Sequence, residues 1–197
     1  MLVHRYDSPD RFVAGTVGEP GDRTFFLQAR EGDRIISVSC EKQQVSVLAE
    51  NLTRMLDEVV VRGMNEAPMP TAPETVRDVD PLDAPITEEF RVGTMTLAWE
   101  STTERVVIEL FSTTEGPVSV EADEPVVEPE ELADQTVEPQ ASEVFIVCIT
   151  ASDARDFVAR ADAIVSAGRP PCPFCLQPLE PEGHVCPRAN GYRRSLF

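Results

Sequence analysis

The sequence predicts an α+β fold, with two helices packed on one mostly antiparallel sheet and a small zinc-binding module at the C-terminal end. Three observations carry that expectation. β-rich runs separated by turn residues occur in both halves of the chain, and each set is followed by one amphipathic stretch at helical spacing. Four metal-ligating side chains then stand in two short pairs between Cys172 and Cys186.

The first set of strands lies in residues 11–40, where RFVAGTV, RTFFLQA and IISVSC are separated by GEPGD and REGDR. This reads as a three-stranded meander, with Phe12, Phe25, Phe26, Ile35, Ile36 and Val38 as strand hydrophobes and glycine where a tight reversal needs positive φ. The following EKQQVSVLAENLTRMLDEVVVRG places Val45, Leu48, Leu52, Leu56 and Val59 on one helical face, and Gly63 is a natural stop. Residues 64–89 contain five prolines and no period, so a long loop or surface strap is expected there.

The second set opens with a hairpin, FRVGTMTLAW and RVVIELFST around a polar ESTTE turn. Residues 114–142 are acidic and proline-containing without a single Lys or Arg, a composition expected of a disordered or loosely attached loop. EVFIVCIT then has the length and apolar continuity of a buried strand. In the helix after it, Phe157, Val158, Ala161, Ile164 and Val165 stripe one face, Thr150 and Asp153 resemble a capping box, and Gly168 is expected to close it. The expected order is thus three strands then a helix, twice, in a domain of residues 1–167, followed by a zinc tail of residues 168–197. Both helical stripes, and Trp99 at a strand end, are read as core or core rim.

Composition narrows the function classes. The formal net charge of -18 over 197 residues argues against non-specific affinity for nucleic acid or anionic membrane over most of the surface. No apolar run approaches a transmembrane length, and the first residues carry neither a basic nor an apolar leader region, so a cytoplasmic location is expected. In a reducing compartment a Cys40–Cys148 disulfide is not expected, and both read as buried thiols.

The tail carries the chemistry. Cys172 and Cys175 stand as C-P-F-C, and His184 and Cys186 as H-V-C after an eight-residue gap. Three thiolates and one imidazole form a closed tetrahedral set for one structural Zn²⁺, leaving no open position for catalysis. A thioredoxin-like dithiol is the rival for C-P-F-C, but such a motif opens a helix after a strand, whereas this one follows a finished helix and a Pro-Pro. The formal charges leave the centre about one unit negative. Beyond it Arg188, Tyr192, Arg193 and Arg194 form a local cationic patch, with no Asp or Glu from Gly183 onward.

Familiar catalytic motifs are missing: no phosphate-binding G-x-x-x-x-G-K-[ST], no G-x-G-x-x-G, no G-x-S-x-G and no H-E-x-x-H. With His184 committed to metal, His4 is the remaining imidazole, near a terminus expected to be mobile, and reads as incidental. Lys42 beside Glu41, Gln43 and Gln44 reads as a solvated helix start, with a polar site there as a minority expectation.

PDRFVAGTVGEPGDRTFFLQAREG at the front, SCEKQQVSVLAE after it and PCPFC with GHVCPRANGYRR at the end resemble a family of uncharacterised actinobacterial proteins defined only as a domain of unknown function. The resemblance covers nearly the whole chain and implies an intracellular protein, with no activity, cofactor or substrate attached. The expected function is therefore a non-enzymatic interaction or adaptor protein that presents its zinc tail to another protein. Binding of RNA or a phosphate ligand through Arg188, Arg193 and Arg194 is the alternative, and an enzyme with an unrecognised site near Glu41 and Lys42 the second.

Overall fold

The computed structural model describes residues 1–19, 21–65, 70, 78–113, 141–167, 172–175, 186 and 188. Seven strands form one sheet: β1 (Leu2–Tyr6), β2 (Arg11–Val17), β3 (Thr24–Glu31), β4 (Arg34–Cys40), β5 (Glu88–Glu100), β6 (Arg105–Ser112) and β7 (Glu143–Thr150). Helix α1 (Lys42–Arg62) follows β4 and α2 (Ala151–Ser166) follows β7. The spatial order is β1-β7-β6-β5-β4-β3-β2, with β1–β7 and β4–β5 parallel and the other four pairs antiparallel. The α+β class holds, on a mixed sheet. The first half contributes four strands rather than the expected three, because Leu2–Tyr6 is a strand.

Alternation in β2, β3 and β4 sends Phe12, Ala14, Phe25, Leu27, Ala29, Ile36 and Val38 to the face covered by the helices. In β5 the alternation breaks at Gly93. There the pairing slips from Val92 opposite Ser112 to Thr94 opposite Phe111, so Met95, Leu97 and Trp99 return to the helix-facing side as Phe90 and Val92 do. The α1 stripe of Val45, Leu48, Leu52, Leu56 and Val59 is buried as its spacing predicts. Phe157 of α2 stacks on Phe12, ring centroids 4.9 Å apart, and Phe145 meets both Phe12 and Tyr6 edge-on.

Helix ends follow the sequence signals. Gly63 takes the left-handed conformation at the end of α1, and its N–H and that of Met64 return to carbonyls of Val60 and Val59. Thr150 and Asp153 form a reciprocal capping box. α2 ends with Ala167 as its cap, and Gly168, expected in that role, lies outside the described residues. Cys40 and Cys148 are free, buried thiols on different strands.

Residues 78–83, within the expected proline-rich loop, form an ordered strap around the edge strand β2. Arg11 donates to both carboxylate oxygens of Asp78, to Asp83 and to the carbonyls of Asp80 and Pro81. Arg160 of α2, itself 6 % exposed, donates to the carbonyls of Ala14, Asp78 and Asp80 and to Asp78 Oδ1, all at 2.7–2.8 Å. Leu82 then packs on Val13 and Phe26 on the sheet face away from the helices. A Cβ on Gly15 would overlap the Leu82 side chain, so the strap requires glycine there. Buried Gln28 completes the clasp, donating to Asp83 O and Ser37 Oγ and accepting from Asp83 N–H. Acidic residues that composition alone assigns to a loop are thus ligated by two arginines whose own burial demands partners.

Among the described residues no helix is long and apolar enough to cross a membrane.

Candidate metal centre

α2 delivers the chain to the tail, and Arg23 donates to the carbonyl of Ala167 where the helix ends. The sulfurs of Cys172, Cys175 and Cys186 converge within 4.8 Å of one another. Cys172 and Cys186 are buried and their sulfurs stand 3.7 Å apart. That separation is far beyond the ~2.05 Å of a disulfide. It matches the edge, about 3.8 Å, of a tetrahedron of sulfurs around an ion at about 2.3 Å. The three thiols are therefore arranged to coordinate a metal ion.

The turn itself prepares the ligands. Residues Pro173 to Cys175 form a tight turn, which points backbone N–H groups back at the first sulfur. Burial pushes the Cys172 thiol up, but donation from the Cys175 and Phe174 N–H groups, together with hydrogen bonding to the thiols of Cys175 and Cys186, outweighs it and holds the thiol below its ordinary value. Hydrogen bonds of this kind favour the anionic sulfur that a metal needs. Arg188, exposed, donates from Nη1 to the carbonyl of Phe174 at 3.1 Å. The segment after Cys186 is thereby tied to the turn between the first two ligands. Phe174 itself is exposed.

His184, Tyr192, Arg193 and Arg194 lie outside the described residues. Glu41 and Lys42 stand at the helix start read from the sequence, with Glu41 as the cap of α1. Gln44 accepts from the Glu41 N–H at 2.8 Å, Glu41 pairs with Arg91, and the Gln44 amide donates to the carbonyls of Val92 and Gly93. The run joins α1 to β5 where β4 ends, and Lys42 is exposed. His4, read as incidental, sits on β1 against Glu143 and Glu89, a second group of ligating side chains. Its partners are 85 or more positions away in sequence, beyond the reach of any local pattern.

Fold and site together define a mixed-sheet α+β protein with a C-terminal cysteine cluster able to coordinate a metal ion. The chain matches, over residues 4–186, the family described as protein of unknown function (DUF3090), and it belongs to that family. No curated protein and no solved structure matches it.

Proposed function

We propose that the protein holds one structural zinc ion through Cys172, Cys175, His184 and Cys186, and acts as a non-enzymatic interaction protein of the cytoplasm. The observation that carries the reading is the convergence of three sulfurs, with Cys172 and Cys186 at the spacing of a tetrahedral zinc thiolate edge. His184 supplies the fourth position, two residues from Cys186 in sequence. Thiolate ligands select zinc over harder divalent ions, and a reducing compartment keeps the three thiols available. A closed four-ligand set has no coordination site for substrate, so the ion's work is to fold the tail.

The folded tail then presents Arg188, Tyr192, Arg193 and Arg194 to an acidic surface of a partner protein. Cationic side chains concentrated on an otherwise acidic chain favour one docking orientation and disfavour others. Recovery of partners by the full chain from its own cell extract tests this, beside Arg193→Glu with Arg194→Glu and beside Cys172→Ser. Loss of the same partner protein from both variants, with the body still folded, is expected. Unchanged recovery contradicts the reading. Recovery of RNA instead, with an affinity that falls steeply with salt and a slope flattened by the arginine substitutions, would replace the protein partner with a nucleic acid.

A further inference from the structure

At the opposite sheet edge, ligating side chains from three strands meet. His4 Nε2 on β1 lies 2.9 Å from Glu143 Oε2 on β7 and 3.8 Å from Glu89 Oε1 on β5. The three ligand atoms all lie within 4.8 Å of one another. Topology builds this convergence. β1 runs parallel to β7 with Leu2 opposite Glu143 and His4 opposite Phe145, which sets the imidazole beside the Glu143 carboxylate. β5 is separated from β7 by β6, but β6 ends at Ser112, opposite Val92. Glu89 lies on β5 before Val92, beyond the end of β6, and its carboxylate comes within 3.8 Å of His4 Nε2.

Two carboxylates brought together repel, and among the described residues His4 is the ion-pair partner of both. Neighbouring arginines are committed elsewhere, Arg5 to Asp7 and Arg91 to Glu41. With His4 neutral, the group carries two formal negative charges and offers one imidazole nitrogen and carboxylate oxygens to one point.

We propose that His4, Glu89 and Glu143 form a binding site for a divalent first-row cation, distinct from the thiolate cluster of the tail. One imidazole and two carboxylates are the donors that suit Mn²⁺ or Fe²⁺, whereas soft thiolates discriminate against Mn²⁺. The side chains are 20 %, 44 % and 25 % exposed for His4, Glu89 and Glu143, so water completes the coordination shell on the open side. The Phe90 ring, 6.3 Å from the imidazole, walls the inner side. An ion held there ties the edge strand β1 to both β7 and β5.

Mn²⁺ is the probe, added to the full chain with its tail loaded with zinc. Loss of the free Mn²⁺ electron paramagnetic resonance signal is expected to report one site, weakened by at least about tenfold in His4→Gln, Glu89→Gln and Glu143→Gln. Since the His4 and Glu143 changes also remove the bond that holds β1, the wild-type chain supplies a second measurement. Paramagnetic broadening of its amide signals is expected to centre on residues 3–5, 88–90 and 142–144. Absence of binding at millimolar Mn²⁺, equal binding by the three variants, or broadening centred on the acidic residues 114–140 overturns the proposal. The first of these outcomes would mean that His4 alone holds the two carboxylates.

Discussion

Replacing Arg160 by Met tests whether the strap and α2 form one unit. The substitution keeps the apolar stem but removes four hydrogen bonds of 2.7–2.8 Å, to the carbonyls of Ala14, Asp78 and Asp80 and to Asp78 Oδ1. Breaking a buried charge pair by deleting one partner costs about 3–5 kcal/mol, most of it from groups left unpaired. Asp78 retains Arg11, which lies 2.6 Å away, so its carboxylate is not abandoned and the lower end, about 3 kcal/mol, applies. The carbonyl of Ala14, in a fully buried residue on the outer side of β2, accounts for about 1–3 kcal/mol of that as an acceptor without its partner. For a chain of this size the loss corresponds to a fall in Tm of about 6–12 °C. Urea titration followed by circular dichroism measures it. A loss under about 1 kcal/mol would mean that the strap is not held by Arg160 and that water replaces it without penalty.

Four further outcomes follow from contacts already described. Gln44→Ala removes the side-chain acceptor for the Glu41 N–H and the donors to Val92 and Gly93, and is expected to cost about 1–2 kcal/mol in urea titration. Lys42→Met beside it should change stability by no more than about 0.5 kcal/mol, as befits an exposed first-turn residue. The hydrogen bond from Arg11, with help from the Asp80 N–H and the charges of Arg160 and Arg11, holds Asp78 below its ordinary value against the opposing effect of burial. A depressed carboxylate contributes stability above the unfolded value of about 3.9, and that contribution is lost as pH falls through the folded value. Stability should therefore fall more steeply on acidification in the wild type than in Asp78→Asn, with equal slopes below pH ~4 counting against the clasp. Burial pushes the Cys40 thiol up to about 12, and Glu41 adds to the shift. Alkylation of Cys40 in the folded chain at pH ~8 should be much slower than in urea, and similar rates would place that thiol in solvent.

Local signals were legible in the sequence, and non-local ones were not. Period and turn chemistry located α1 with its stop at Gly63, the Thr150–Asp153 cap and the β5–β6 hairpin, because each is decided by neighbours within a few residues. β1 was missed because five residues of LVHRY carry little alternation, and what orders them is parallel pairing with β7, 139 positions on from His4 to Glu143. The strap was foreseen only as one of two outcomes for a proline-rich loop. Its order comes from Arg11, Arg160 and Gln28, which sit on other elements and whose inward direction no composition reveals. The same division holds at the sites. Spacing brought out Cys172, Cys175 and Cys186, since C-x-x-C chemistry is local. The bond from Arg188 to the Phe174 carbonyl and the meeting of His4 with Glu89 and Glu143 depend on chain segments that only the fold brings together.

The most direct test of the metal centre is zinc content combined with a thiol count, on protein purified under reducing conditions in metal-free buffer. About one zinc per chain is expected, falling to near zero in Cys172→Ser and in Cys175→Ser while the circular dichroism of the body is retained. In the native wild type, chelation should release the ion and expose the three tail thiols to reagent, leaving Cys40 and Cys148 protected by burial. A chain that carries no zinc under these conditions, or one whose zinc survives loss of Cys172 and Cys175, would contradict the assignment of the tail as a zinc-folded module.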